Sequence, residues 1–268
     1  AITSGQTHAL ALMPGGEVIG WGSSGSGEIN IPAAARQGVT AIAAGRRFSV
    51  AVRDGGVLLW GENWGDMNVP ASAQSGITTV AASIGSPRCL ALKDDGVIAW
   101  GANWGGQCLG TDANGDPVIE LHPDYGFPLP ATGQFVQIMG QQLQGITQIA
   151  CGDSHSLAVT SGGAVRTWGD SLGGILDVPV AAQSGVSRVA GGMGFTVAVK
   201  VDGSMLAWGV NESGECNIPS SAQTGAVDVA CGSGHSIALL ADGSIAAWGQ
   251  NYNGQCAVSP GRYAHVAA

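Results

Sequence analysis

An all-β fold, a single β-propeller built from blades of about 40 residues and four strands each, is what this sequence predicts, and three observations carry it. A Trp-Gly pair closes an apolar run at Trp21, Trp60, Trp100, Trp168, Trp208 and Trp248, a period of about 40 residues broken only by the longer interval after Trp100. Two-residue turn signals fall between apolar runs at Gly15-Gly16, Asp54-Gly55, Asp95-Gly96, Gly162-Gly163, Asp202-Gly203 and Asp242-Gly243, the pattern of tight hairpins. The 3.6-residue period of a helix is absent outside the short AxAQ(S/T)G stretches, which are long enough for one turn.

One unit, residues 225–256, shows how each element arises. Ala226–Cys231 (AVDVAC) is a short strand of small residues, suited to a crowded central channel, and Gly232 ends it. His235–Leu240 (HSIALL) is the second strand. Asp242-Gly243 reads as a type I′ turn. Ser244–Trp248 (SIAAW) is the third strand, whose indole is placed to pack between neighbouring blades. A polar loop then leads to a weak fourth segment at Cys256–Val258.

The first-strand phrase occurs seven times, at Ala1–Ser4, Thr40–Ala44, Thr78–Ala82, Thr147–Cys151, Ser187–Gly191, Val227–Cys231 and His265–Ala268, whereas the Trp-Gly strand occurs six times. Six blades with the termini meeting at ring closure is the expectation, with seven as the alternative. An unpaired terminal strand could instead recruit another subunit. The long interval adds an inserted loop at about residues 109–140. The whole chain, 1–268, reads as one propeller domain.

Composition narrows the function. Gly is 45 of 268 residues, more than twice the usual share, and charged residues at 11 % are under half of it. A net charge of −9 with only ten basic residues opposes nucleic acid as a partner, because phosphate binding needs clustered Lys and Arg. No apolar run approaches the length of a membrane span, so no membrane insertion is expected. No signal peptide is visible, and its prior cleavage is compatible with export.

The phrases GDSHSLAV (152–159) and GSGHSIAL (232–239), each followed by a strand ending in Trp-Gly, resemble the regulator of chromosome condensation repeat. The insert opens GGQCLGTDANGDP (105–117), similar to that family's longer blade connection. VPASAQSGITTVAA (69–82), VPVAAQSGVSRVAG (178–191) and IPSSAQTGAVDVAC (218–231) resemble the repeat of the secreted propeller-type β-lactamase inhibitory protein. The first resemblance implies guanine-nucleotide exchange on a small GTPase. The second implies a seven-bladed inhibitor of β-lactamases or penicillin-binding proteins. In those inhibitors the loops between first and second strands form an aromatic-rich face. Here they read QT, RRF, SIGSPR, DS, MGF and SG, nearly stripped of aromatics.

Candidate sites follow from repeated positions. Trp64, Trp104 and Tyr252 stand at one place after their Trp-Gly pair and are expected to ring one face, as aromatic contacts for a protein or sugar. Arg46, Arg47 and Phe48 occupy a loop between first and second strands. Tyr125 and Phe127 lie in the Pro-rich second half of the insert, a stiff contact loop. Cys108 and Cys216 share one repeat position, and Cys151 and Cys231 another, so two equivalent disulfides, Cys108–Cys151 and Cys216–Cys231, are expected; they favour a secreted or cell-surface location. Cys256 repeats the first position, but its partner position holds Ala268 or Ser4, and Cys89 takes the place of Ser236; these two are left either free or paired with each other.

Chemistry is not evident. His8, His155 and His235 recur at one position, so they read as a structural device bonding backbone of their own blade rather than as a catalytic group. No nucleophile-elbow, zinc-protease or phosphate-loop motif occurs. Asp112, Asn114, Asp116 and Glu120 alternate as in a calcium loop, but Pro117 stands where Gly is required and Pro123 replaces the final Glu. No cofactor or metal is expected, and no enzyme. The leading expectation is a protein-binding propeller, acting on a protein partner or by self-association, as an extracellular module or a subunit of an extracellular or viral assembly.

Overall fold

The computed structural model describes residues 1–62, 67–126 and 128–268. Six antiparallel sheets dominate it. Sheet one holds β1 (Ile2–Ser4), β2 (His8–Leu12) and β3 (Val18–Gly22); sheet two holds β4 (Val39–Ala44), β5 (Phe48–Arg53) and β6 (Gly56–Gly61). Sheet three holds β7 (Ile77–Ala82), β8 (Arg88–Lys93), β9 (Gly96–Gly101) and β10 (Ala131–Phe135). A short hairpin, β11 (Gln137–Ile138) with β12 (Gln141–Gln142), follows. Sheet four holds β13 (Ile146–Cys151), β14 (His155–Thr160) and β15 (Val165–Gly169); sheet five β16 (Val186–Gly191), β17 (Phe195–Lys200) and β18 (Met205–Gly209); sheet six β19 (Ala226–Cys231), β20 (His235–Leu240) and β21 (Ile245–Gly249). The all-β propeller is therefore seen directly.

Sheets pack face to face, and the core lies between them. Phe48, Val50 and Val52 of sheet two meet Ile77, Val80, Ala91 and Trp100 of sheet three. Leu90 and Val97 meet Ile146, Ile149 and Trp168 in the same way. Middle strands are covered on both faces, so β5 is buried without alternation from Phe48 to Val52 and β17 from Phe195 to Val199. Each fully buried large apolar side chain contributes about 1.5–3 kcal/mol. First strands lie innermost and line a central cavity of about 350 Å³, where small residues such as Ala43, Ala82, Ala150 and Gly191 alternate with Ile42, Val80 and Ile149.

Three local expectations are corrected. Among the described residues the fourth segment of each unit is no ladder strand: of the six main sheets only sheet three has four strands there, and β10, from the insert, supplies the fourth by pairing with β9. Elsewhere the segment runs into a proline that lacks an N–H (Pro32, Pro179, Pro219), and a 3-10 turn follows at Ala33–Ala35, Val180–Ala182 and Ser220–Ala222. The insert is thus partly structural, and Val136 N–H donates to the Val97 carbonyl at 2.8 Å. Asp242-Gly243 is no type I′ turn: Gly243 N–H donates to Leu240 O and Leu240 N–H to Ser244 O, leaving only Gly243 at positive φ. That is a three-residue hairpin with a glycine bulge, fixed by Asp242 Oδ1 accepting from Ser244 N and Oγ. In sheet three the left-handed pair is Asp94-Asp95, one residue earlier than expected.

Candidate functional site

The loops from first to second strand and the outer connections after each Trp-Gly emerge on one face. The phrase that recurs in those connections is a hydrogen-bond device. Asn211 Oδ1 accepts from Cys216 N and Glu215 Oε2 from Ser213 N, both at 2.9 Å, locking the loop. Asn103 with Gln107, and Asn251 with Gln255, repeat the arrangement. The backbone carbonyl of the same Glu or Gln serves the next sheet: Glu215 O accepts from Trp248 Nε1 and Ser236 Oγ, and Glu28 O from Trp60 Nε1 and Ser49 Oγ.

The recurrent histidines complete that joint, and the expectation that they bond their own blade is corrected. His8 Nε2 pairs with Ser49 Oγ, and His155 Nε2 with Thr196 Oγ1, both at 2.9 Å and both in the following sheet. The ring lies over the glycine that opens its own loop; a Cβ on Gly152 would overlap His155 Cε1. Burial holds His8 and His235 below the usual imidazole range and pushes His155 down to about 3, with the Arg88 charge adding to the effect. Arg88 takes the histidine place in sheet three. Fully buried, it donates to Ser156 Oγ and Ser86 Oγ and to the carbonyls of Gly152, Asp153 and His155.

Above this joint lies a groove of about 570 Å³ bordered by Arg46, Pro87, Trp104, Asp153, Asp170 and Met193. Trp104 is 62 % exposed and Met193 58 %. Trp104 sits on a rigid base, because buried Asn103 accepts from Cys108 N and donates to Val118 O. Burial raises the Asp153 carboxyl, against the pull of Arg88 and Arg46, and its Oδ1 is covered without a hydrogen-bond partner. The groove combines an exposed indole, a thioether and charges of both signs.

The expected site residues separate. Trp104 and Arg46 come together in this groove. Tyr252 is exposed on the equivalent connection of sheet six, three sheets away. Arg47 is engaged with Glu62 at 3.4 Å. Phe48 is 1 % exposed and belongs to the core, so it is withdrawn as a contact residue; its repeat position, the first of β5, points between sheets. Tyr125 is exposed and lies against His122, with ring centroids 4.9 Å apart. Trp64 and Phe127 lie outside the described residues. Asp153 and Met193 were not anticipated, and only their place in the first loops, shared with Arg46, could have signalled them.

All six cysteines are free thiols, so the expected Cys108–Cys151 and Cys216–Cys231 disulfides are not formed. Their positions have a plainer use: Cys108, Cys216 and Cys256 stand where other units carry Ile29, Met67 and Leu176. Burial pushes Cys108 and Cys231 up to about 12 and Cys151 and Cys216 to about 11, which keeps them protonated and unreactive. In the insert, Asp112 Oδ1 accepts from the backbone of Asn114 and Asp116, closing a turn on itself. Among the described residues no group of three His, Cys, Asp or Glu is placed to hold a metal, and no helix is long and apolar enough to cross a membrane.

Models of the regulator of chromosome condensation (RCC1) repeat match residues 94–159, 146–174 and 226–255. The fold is an RCC1-type β-propeller. Yeast RCC1 (Prp20), solved bound to Kap60, superposes with a TM-score of 0.70 at 19 % identity, covering 98 % of this chain and 72 % of that one. Prp20p from Saccharomyces cerevisiae, described with its binding to Gsp1p and histones, gives 0.69 at 19 % identity over 98 % and 74 %. The CRINKLY ectodomain of the Arabidopsis thaliana receptor kinase ACR4 gives 0.60 at 21 % identity over 92 % and 78 %. No curated protein matches the sequence.

Proposed function

We propose that this chain is a non-enzymatic protein-binding propeller whose loop face makes the contact, centred on Trp104. The single observation that carries this reading is a tryptophan 62 % exposed on a loop whose backbone is locked by Asn103 and Gln107. A rigidly held, exposed aromatic beside mixed charge is the composition of an interface hot spot. The low overall charge and acidic balance leave nucleic acid a poor partner. The secreted or cell-surface setting drew on paired cysteines, and the free thiols withdraw that support.

Exchange on a small GTPase is the partner class to test first, because the neighbour Prp20p is described with its binding to Gsp1p. Release of labelled GDP from a GTPase panel should accelerate in the presence of this chain, and Trp104→Ala should reduce the effect at least tenfold while leaving the unfolding midpoint unchanged. Inhibition of a β-lactamase panel, sensitive to the same substitution, would move the reading to the inhibitor class. Failure of both, or indifference of either activity to Trp104→Ala, would remove the groove as the contact site.

A further inference from the structure

The groove beside Trp104 holds its carboxylates on a fixed frame. Asp153 stands in the first loop of sheet four, and four hydrogen bonds fix its backbone. Its N–H donates to Gly192 O at 3.2 Å, and its carbonyl accepts from Arg88 Nη1 at 2.7 Å, Ser86 Oγ at 3.2 Å and Ser83 Oγ at 3.3 Å. Gly85 lies against the side chain, where a Cβ would stand 2.8 Å from Asp153 Cγ. Any other residue there would push the carboxyl aside.

That carboxyl has no donor to meet it. Its Oδ1 is covered and bonds to nothing among the described residues. Among those residues the ion pairs are Arg47 with Glu62 and Arg53 with Asp54, so Arg46 pairs with neither carboxylate of the groove. Asp170 stands beside the Trp104 loop: a Cβ on Gly105 would lie 3.6 Å from Asp170 Cβ. Asp170 Oδ1 accepts from Leu172 N at 3.2 Å, and no cation pairs with it among the described residues.

Two carboxylates without a cation thus border one exposed indole and the exposed thioether of Met193. An indole is the aromatic ring that attracts a cation most strongly. The stem of Lys or Arg is apolar and covers such a surface while its head reaches a charge. The net charge of −9 steers basic partners toward the chain. Two cations oppose this. Arg88 lies buried beneath, with its donors engaged by carbonyls and hydroxyls. Arg46 borders the groove itself.

We infer that the groove receives a basic side chain, Lys or Arg, from an exposed segment of the partner protein. The cation is taken by Asp153 and Asp170 against the Trp104 indole, and the stem lies on Trp104 and Met193. Arg46 is the like charge on the rim and limits the affinity. The inference rests on the groove being the contact site and names what that site takes.

The test titrates the full, isotope-labelled chain with a blocked pentapeptide carrying a central Lys between Leu residues, and with its norleucine counterpart. Indole N–H resonances report binding, and the one missing from Trp104→Phe marks the groove. A saturable shift of that resonance is expected with the Lys peptide, and about 10-fold weaker binding with norleucine, which lacks the charge. Asp153→Asn and Asp170→Asn should each weaken the Lys peptide about 3- to 10-fold; Asp170→Asn keeps the Oδ1 that holds Leu172. Arg46→Gln, which breaks no ion pair, should tighten it about 2- to 3-fold. Effects of opposite sign separate charge recognition from general loosening of the loops. Equal affinity for the two peptides, or indifference to both Asp→Asn changes, overturns the inference, as does the absence of a saturable shift. If the shift is absent while Trp104→Ala still weakens GDP release or β-lactamase inhibition, the cation assignment falls and the contact site stands. A Lys-selective shift with GDP release blind to Trp104→Ala would remove the contact reading and leave the cation site.

Discussion

His155 and His235 hold the same place in the repeat and live in different surroundings. His155 is fully buried, with its Nε2 on Thr196 Oγ1 and Arg88 beside it. His235 is half-buried at the rim of a cavity, and sheet one carries Ala9 where sheet five carries Thr196. The sequence around them is nearly identical, so the difference lies in what the following sheet offers. A residue in a repeat protein takes its energetics from its neighbour unit as much as from its own.

The joint between sheets three and four is where that comparison breaks most sharply. Arg88→Met keeps length and apolar stem while removing donors to three carbonyls and two hydroxyls. Leaving several buried acceptors unpaired should cost about 3–5 kcal/mol, seen as a lower urea midpoint. A loss under about 1 kcal/mol would mean that the guanidinium's desolvation offsets its bonds.

Paired substitutions sharpen the contrast. His155→Phe strands the Thr196 hydroxyl and should cost about 1–2 kcal/mol, whereas His235→Phe in the free chain should be near neutral. The histidines also set a pH dependence. The folded pKa of His155, about 3, lies below the unfolded value of 6.5, so the unfolded chain binds the extra proton. Its stabilising contribution is complete above pH 6.5 and is lost progressively as pH falls from 6.5 toward 3. Urea midpoints measured across that window should fall less steeply in His155→Phe than in the parent. His235→Phe should alter the slope less, because its burial is shallower.

These same residues show what the sequence made legible. The 40-residue period, the Trp-Gly strand and the small first strands follow from alternation and turn chemistry, which are local, and they predicted the sheets. The fourth strand was misread because an Ile-Pro or Val-Pro segment has strand composition but lacks the donor for a ladder. Phe48 looked like a loop aromatic because its burial depends on a partner, Cys89, one unit later. The repeated cysteines suggest pairing because both positions recur together; Ile29, Met67 and Leu176 at the place of Cys108, Cys216 and Cys256 argue for an apolar filler. Trp104 and Arg46 were each visible as candidates, but their meeting with Asp153 and Met193 needed the geometry of four successive sheets.

Ala9→Ser carries the smallest expected effect and tests whether sheets six and one share a joint of the interior kind. It gives sheet one the hydroxyl that every interior joint begun by His or Arg already has: Ser49 for His8, Ser156 for Arg88, Thr196 for His155. In a ring closed by six sheets, the introduced hydroxyl would meet His235, and the new bond would add about 1 kcal/mol. Where sheets six and one share no such joint, that hydroxyl faces water and the change stays within about 0.5 kcal/mol. Combining Ala9→Ser with His235→Phe separates the cases further. A shared joint would show coupling between the two sites, because they would share one bond, whereas its absence leaves their effects additive. Additivity at this pair, beside clear coupling between His155→Phe and Thr196→Val, would place the difference between the two histidines in what faces each ring rather than in the repeat.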